Sequence, residues 1–301
     1  MADVGVMIEA QEGLDWERWR RIAPQADRLG FASLRCSDHC LSVAGVEGRH
    51  ALHTWVALSL AAEWTERIQL APMVSPMTFY EPAVLGRIAL AVDELSEGRL
   101  LLGVGTGWFQ AEHDRMGIPF PSLSDRFDRL EAGIPRIRSV LEGRQVPLLI
   151  GGSGERRTLG LAAREASEWN VMSLEPEAYR AKAAVLDERC REVGRDPSEI
   201  RRSVMAGYLV GHDGAELERR AAGLQEVLPA LGGMAPGEVV STLRERKGRW
   251  FVGSPEEIVE EMGQYVAVGV QLFMLQHYLL DDSEGLEVLA AEVMPAIAAV
   301  S

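Results

Sequence analysis

The 301-residue chain is poor in cysteine, and its acidic residues outnumber its basic ones. It has only three cysteines, at positions 36, 40 and 190; an odd number at wide spacing does not indicate a disulfide framework and fits a reducing environment. Cys36 and Cys40 flank His39, but a second ligand pair and a familiar zinc spacing are missing, so we expect no metal site. The net charge of −14 argues against nucleic acid or an anionic membrane as a main partner, because both attract clustered Lys and Arg.

Long apolar runs are also missing. No stretch of 18 apolar residues occurs, so the sequence predicts no membrane span. The first ten residues have no basic segment and already carry Asp3 and Glu9, which is not the pattern of a signal peptide. We therefore expect a cytoplasmic protein that acts on a small molecule, and 47% hydrophobic residues predict an ordinary globular core.

Short apolar runs alternate with longer amphipathic stretches along the chain. The runs at 3–8, 31–37, 67–74, 99–105, 147–152, 169–172, 201–211 and 270–276 are predicted strands. Helical patterns separate them, and 213–247 holds a helical insertion before the last strand. Strands without clean alternation indicate burial on both faces and parallel pairing. Eight strand–helix units without a linker predict one α/β domain, 1–301, folded as a (β/α)8 TIM barrel; a doubly wound sheet is the structural alternative.

In a parallel barrel the active site lies at the carboxyl ends of the strands. The second strand ends in Asp38 and His39, a carboxylate and an imidazole that can relay a proton near neutral pH. The alternative is that Asp38 caps a helix or orders a loop beside a solvated His39. After the fourth strand, Gly105, Thr106 and Gly107 allow a ligand to approach the backbone closely, although the pattern is not a dinucleotide fingerprint.

The fifth predicted strand runs into a glycine-rich turn and then a helix, at residues 151–158. The candidate ligand-binding residues of this turn are Gly151, Gly152, Ser153, Gly154, Arg157 and Thr158. Bare amides, hydroxyls, guanidinium groups and a helix N-terminus together form an anion cradle. A turn with solvated arginines explains the glycines, but not why every phosphate-binding element occurs together.

The last strand ends in Gln276, His277 and Tyr278, which are equally consistent with a site and with rim structure. His50, His53 and His113 are weaker candidates, because such residues more often lie on the surface.

Several blocks of the sequence resemble the luciferase-like superfamily, and more narrowly its coenzyme F420-dependent oxidoreductases. They are SDHC, APMVSPMTFYEPAVLGRIA, LSEGRLLLGVGTGWFQAEHDRMGIPFPSLSDRFDRLEAGI, LLIGGSGERRTLGLAAREASEWNV and VGSPEEIVEEMGQYVAVGVQLFMLQ. They cover about residues 30–175 and 250–280. The resemblance implies a TIM barrel that binds F420 or, alternatively, FMN.

The resemblance also implies a role for individual residues. Asp38 and His39 would lie beside the flavin-type ring, and a non-prolyl cis peptide at Met73–Val74 would sit behind it. The glycine segment after the fourth strand would approach the ring or side chain of the cofactor. Gly152, Ser153, Gly154 and Thr158 would hold the phosphate, with Arg157 as a charge partner.

Two departures from the family pattern concern the chemistry. Sugar-phosphate-oxidising members have a glutamate where this chain has Trp108, so that reaction is not expected, and Glu112 and His39 become the candidate proton donors. The segment between the fourth helix and the fifth strand is short, which predicts an open site. Three hypotheses stay open: F420-dependent hydride transfer, an FMN-dependent monooxygenase that uses oxygen, and a flavin-binding protein without turnover. A homodimer is a further possibility.

Overall fold

The computed structural model describes residues 2–300, in which all strand pairs are parallel. The strands are β1 (Asp3–Ile8), β2 (Ser33–Cys36), β3 (Gln69–Pro72), β4 (Ser75–Pro76), β5 (Leu102–Gly105), β6 (Leu148–Gly151), β7 (Glu168–Met172), β8 (Arg201–Val210), β9 (Trp250–Gly253) and β10 (Leu272–Gln276). The helices are α1 (Trp16–Arg28), α2 (Thr54–Trp64), α3 (Pro82–Leu95), α4 (Gln110–Met116), α5 (Leu123–Ser139), α6 (Thr158–Glu165), α7 (Pro176–Glu192), α8 (Gly214–Val227), α9 (Pro236–Glu245), α10 (Pro255–Val266), α11 (Ser283–Val288) and α12 (Met294–Ala299). No helix within residues 2–300 combines the length and the apolar character needed to cross a bilayer.

The sheet closes on itself as a barrel. Its strand order is β3-β2-β1-β10-β8-β7-β6-β5-β4, and β3 and β4 are two pieces of one barrel strand, separated by Met73 and Val74. A parallel bridge between Leu70 and Leu100 completes the ring. The strand β9 lies off this path and pairs only with the carboxyl half of β8. Eight strand positions surround the axis, so the predicted (β/α)8 barrel is confirmed.

Alternate residues along each strand belong to two different apolar clusters. On β1, Val4 and Val6 belong to the large cluster that also contains the helices, whereas Met7 belongs to a smaller cluster with Met73 and Met274. The smaller cluster is the filling of the barrel, and the large one is the layer between strands and helices. Burial on both faces explains why the strands lack a polar alternation.

The predicted helical insertion is present as α8 and α9, but the strand after it was not predicted. Trp250 and Val252 of β9 pack with Leu217 and Leu243 of these helices in a third apolar cluster. Only four residues long and directly followed by the Ser254 helix cap, β9 is too short for its pattern to be distinguished from a loop.

Gly133 and Pro135 lie inside a single helix, although both residue types are unfavourable in helix interiors. The helix α5 runs through Gly133 and Pro135 without a break. A Cβ on Gly133 would lie 3.1 Å from the sulfur of Met77 and 3.2 Å from Cγ of Pro82, so this glycine permits close packing against the start of α3. The connection from α5 to β6 is short, as the sequence predicts.

Candidate functional site

Asp38 lies directly beyond β2, at the end of the barrel where the carboxyl ends of the strands meet. Its side chain is 6% exposed and accepts hydrogen bonds from Ser75 Oγ (2.5 Å) and Tyr80 Oη (3.0 Å). Trp55 Nε1 in turn donates to Ser75 Oγ at 3.1 Å. Burial raises the pKa of the Asp38 carboxyl, and the hydrogen bonds from Ser75 and Tyr80 oppose this shift only in part. The Asp38 side chain is therefore buried and fixed by hydrogen bonds at the barrel mouth, and it is not a solvated helix cap.

His39 and Glu112, two of the predicted catalytic residues, are in direct contact. His39 Nδ1 lies 2.9 Å from Glu112 Oε1, and the other carboxylate oxygen accepts the backbone amide of Cys40 at 3.0 Å. Glu112 is 1% exposed, although it belongs to α4, a helix that was not predicted. The ring of Trp108, which is 62% exposed, stands edge-on to the imidazole at 5.5 Å.

The electrostatics of this pair favour a protonated imidazole. Burial acts to lower the pKa of His39, but the hydrogen bond and the charge of Glu112 outweigh it, so the pKa of His39 is raised. Because Nδ1 is bonded to Glu112, Nε2 is the ring nitrogen that is free to exchange a proton with a ligand. The arrangement is that of a general acid–base group oriented by a carboxylate.

The segment between β3 and β4 forms a bulge inside the barrel mouth. The peptide bond between Met73 and Val74 is cis, which confirms the expectation drawn from the resemblance. The side chain of Val74 projects towards the glycines of β5: an added Cβ would lie 3.0 Å from Val74 Cγ1 at Gly103 and 2.7 Å from Val74 Cγ2 at Gly105. Packing against the bulge therefore requires glycine at both positions. From the sequence alone, the glycines of this segment indicated only that a ligand could approach the backbone.

Gly107 and Thr106 continue this wall. Gly107 has φ of +75°, and a Cβ there would lie 2.6 Å from Thr78 Oγ1, so both its backbone conformation and its surroundings require glycine. Thr106 is half-buried beside it, and its Oγ1 donates only to the Gly107 carbonyl, at 3.3 Å.

Residues 151–158 form a glycine-rich turn before α6, but the amide of Gly152 in this cradle is not bare. Gly152 has φ of +114°, its amide donates to the Asn170 carbonyl at 2.9 Å, and its carbonyl accepts from Trp169 Nε1 at 2.8 Å. A Cβ on Gly154 would meet Thr158 Oγ1 at 2.9 Å, so the missing side chain leaves the hydroxyl accessible. The helix α6 begins at Thr158, three residues later than predicted, and Glu155 to Arg157 form the turn that precedes it.

Arg157 does not point into this cradle. Its guanidinium donates to Asp128 Oδ1 (2.6 Å), Glu131 Oε1 (3.3 Å) and the Ser124 carbonyl (3.0 Å), all on α5. The nearby carboxylates satisfy the charge of Arg157 and fasten the cradle to α5. Its role in the structure is therefore this attachment, and a direct contact with an anion would require these bonds to break.

Arg126 is the residue that the sequence analysis missed. It is 8% exposed, Nη1 donates to the Gly107 carbonyl at 2.6 Å, and the guanidinium lies 3.9 Å above the ring of Phe120. Its buried Nε has no hydrogen-bond partner within residues 2–300, and no ion pair forms there either. A buried guanidinium without a carboxylate partner costs free energy. Only its position four residues after Ser122, the cap of α5, could have drawn attention to it.

The remaining candidate residues have partners in the interior or lie on the surface. His113 is fully buried and bonded to the Phe109 carbonyl and to Thr78 Oγ1, so the expectation that it lies on the surface was wrong. His277 is buried with Nδ1 2.6 Å from Tyr208 Oη, and burial lowers its pKa to about 4, which leaves it neutral. Gln276 donates to Glu9, and the ring of Tyr278 stacks on that of Trp250. His50 and His53 are exposed, as expected.

Comparison with known proteins places this architecture in a family. The sequence profile of the luciferase-like monooxygenases matches residues 1–132 and 130–272. An F420-dependent glucose-6-phosphate dehydrogenase of Microbacterium testaceum is 28% identical over 90% of each chain, and an FMNH(2)-dependent dimethylsulfone monooxygenase of Pseudomonas putida is 23% identical over 96% of this chain and 90% of that one. The structure of an F420-dependent secondary alcohol dehydrogenase in complex with an F420-acetone adduct superimposes with a TM-score of 0.81, at 18% identity, over 99% of both chains. The chain belongs to the luciferase-like monooxygenase family.

Proposed function

We propose that this protein is an oxidoreductase that transfers a hydride between coenzyme F420 and a small organic substrate. The observation that carries the proposal is the pairing of the partly exposed His39 with the buried Glu112, at the same end of the barrel as the cradle. Relatives named as F420-dependent enzymes support the cofactor, and the FMN-dependent relative supports FMN as the alternative.

The residues present fit a ring joined to an anionic tail. The cradle has space that side chains at Gly152 and Gly154 would fill, and Arg126 has an unpaired buried Nε beside the neighbouring glycine turn. Gly151, Gly152, Ser153, Gly154 and Thr158 would hold the phosphate, with Arg126 added to this set. At the other end, Met73, Val74 and the Gly105–Gly107 segment would support the ring, beside Asp38 and His39.

The bound cofactor would supply the hydride acceptor or donor, and the protein supplies the proton and the orientation. When an alcohol is oxidised, its hydride would pass with the electron pair to the bound cofactor, and its hydroxyl proton would pass to Nε2 of His39 in the neutral form. In the reverse direction the protonated imidazole donates that proton to the new alkoxide oxygen. Glu112 stabilises the imidazolium, and Asp38, fixed by Ser75 and Tyr80, binds the polar edge of the ring.

The substrate of the dehydrogenase relative is not carried over to this chain. The residue after the β5 glycines is Trp108, an indole that is 62% exposed next to His39. An apolar wall at this point favours an uncharged alcohol or carbonyl compound over a sugar phosphate.

Titration of the purified protein with F420 and with FMN, followed by tryptophan fluorescence, tests the proposal. We expect binding of F420 at micromolar concentration and anaerobic hydride exchange with an alcohol or ketone. Substrate turnover only with reduced FMN and oxygen would support the monooxygenase alternative. Binding without exchange against a broad substrate panel would indicate a non-catalytic flavin-binding protein, and no binding of either cofactor would refute all three.

A single domain, cytoplasmic location and homodimer formation stay predictions. Exposed apolar side chains on neighbouring helices, Val56 on α2 and Val84 on α3, support a dimer. Analytical ultracentrifugation of the wild type and of a Val56→Glu/Val84→Glu variant measures it directly.

A further inference from the structure

A polar network crosses the interior of the barrel below the candidate site. Arg35 on β2 donates from Nη1 and Nη2 to the two oxygens of Glu168 on β7, at 2.7 and 2.8 Å. The Ser203 hydroxyl on β8 donates to Glu168 and accepts from Asn170 Nδ2 at 2.9 Å. All four side chains are at least 96% buried, among methionines and leucines that fill the rest of the barrel.

The two ends of this network reach the two cofactor-binding segments. At one end, Arg35 Nη1 lies 3.3 Å from the sulfur of Met73, the first residue of the cis peptide. At the other end, the Asn170 carbonyl accepts the amide of Gly152 in the cradle. The side-chain network thus joins β2 to β7 and β8 across the barrel interior, and the main-chain bond from Gly152 to Asn170 links its far end to the cradle.

Stability alone does not account for a buried ion pair of this kind. Desolvation of both charges offsets most of their attraction, and apolar replacements of similar volume are often neutral. The pair instead fixes geometry, because a bidentate guanidinium–carboxylate contact holds the two side chains in one relative orientation.

We propose that Arg35, Glu168, Ser203 and Asn170 form an internal brace that sets the position of Met73–Val74 relative to Gly152, and that they are positioning residues for the cofactor. The inference rests on the proposed function, in which the first segment supports the ring and the second holds the phosphate. A ligand that joins two binding groups gains affinity from the second group only if both subsites are correctly spaced. The brace would maintain this spacing.

The test compares Arg35→Met/Glu168→Gln, which removes both charges of the brace, with Arg220→Met/Asp282→Asn. The control pair is also buried at its arginine and joined at 2.7 Å, but it lies between α8 and the cap of α11. Thermal unfolding of both variants is measured first, so that binding is compared well below either transition.

The readout is the ratio of the dissociation constants of riboflavin and FMN, together with the matching ratio for the free deazaflavin ring and F420. Each ratio measures how much more tightly the phosphorylated ligand binds than the ligand without phosphate. We expect this ratio to fall about tenfold in the brace variant and to be unchanged in the control. Equal weakening of ligands with and without phosphate, or no change, would overturn the brace, because either result leaves the spacing intact.

Amide hydrogen exchange separates this inference from the proposed function. If the wild type binds neither cofactor, the proposed function is wrong, but the brace still predicts faster exchange of the Gly152 amide in Arg35→Met/Glu168→Gln than in the control. An unchanged exchange rate at Gly152 would refute the brace without any ligand.

Discussion

Replacement of Arg126 by methionine separates phosphate binding from ring binding. In the free protein, this change removes one hydrogen bond to the Gly107 carbonyl and the stacking on Phe120. It also removes a buried charge that no carboxylate compensates. The opposing effects are each of the order of 1 kcal/mol, so the variant is expected to fold.

The magnitude for the cofactor follows from the hydrogen-bonding capacity of the guanidinium. Nη1 is occupied by Gly107 and Nε is buried, so Nη2 is the nitrogen through which Arg126 would reach a phosphate oxygen. A hydrogen bond to a charged group contributes about 1.5–3 kcal/mol. Its loss corresponds to a dissociation constant for F420 or FMN that is about ten to a hundred times higher.

The assay is fluorescence titration of wild type, Arg126→Met and Arg157→Met with FMN and riboflavin, and with F420. We expect Arg126→Met to weaken FMN and F420 but to leave riboflavin, which has no phosphate, unchanged. Arg157→Met is the matched control, since its guanidinium is already bound by Asp128 and Glu131.

Two results would contradict the assignment. If Arg157→Met weakened FMN more than Arg126→Met, the ion pairs seen on α5 would have to break on binding, and Arg157 would be the phosphate ligand. If riboflavin weakened as much as FMN in Arg126→Met, then Arg126 would act by holding the Gly107 turn and not by its charge.

Three further predictions concern the other parts of the site. Glu112→Gln removes the contacts with Glu112 that raise the pKa of His39, while the burial that lowers this pKa stays. The imidazole should therefore lose its proton at lower pH in an NMR titration, and the limb of the pH–rate profile that needs imidazolium should move to lower pH. Exposed His212 should titrate as before. Gly103→Ala puts a Cβ 2.2 Å from the Pro72 carbonyl oxygen and should lower the free energy of unfolding by about 1–3 kcal/mol. Gly160→Ala inside α6, where the closest atom would be 3.7 Å away, should raise the free energy of unfolding by roughly 0.5–1 kcal/mol. Equal denaturation midpoints of the two variants would disprove the packing argument. Gly152→Asp should weaken FMN more than Gly152→Ala does, because both strain the backbone but only Asp places a carboxylate at the cradle, and identical dissociation constants would remove the phosphate from this turn.

The barrel and the cradle could be predicted from the sequence because their signals are local. An apolar run bounded by turn residues marks each barrel strand, and glycines followed by a helix start mark residues 151–158. Asp38 and His39 were found for the same reason, since they directly follow a strand. Glu112 was chosen by its spacing from Trp108, and the contact with His39 gives that choice a physical basis.

The charge partners could not be predicted, because pairing depends on distances between elements. Arg157 and Arg126 look alike in the sequence, yet one faces two carboxylates across a helix surface and the other has none. The same limit applies to Arg35: an arginine inside an apolar strand gives no indication that Glu168, 133 residues later, lies opposite. The expectation that His113 lies on the surface was wrong for the same reason, because Thr78 and the Phe109 carbonyl form hydrogen bonds with its two ring nitrogens in the interior.

The distribution of charge across the barrel mouth sets the direction in which an amphipathic anion can bind. The uncompensated cation, Arg126, is bonded to the Gly107 carbonyl beyond β5, whereas the buried carboxyl group of Asp38 directly follows β2. A phosphorylated tail over the carboxylates would meet repulsion and leave the guanidinium unpaired, while the reverse orientation satisfies both sides. In the proposed function the ring would therefore lie next to His39, with the cis bulge behind it. His39, whose pKa is raised by Glu112, would then stand where a substrate oxygen needs its proton.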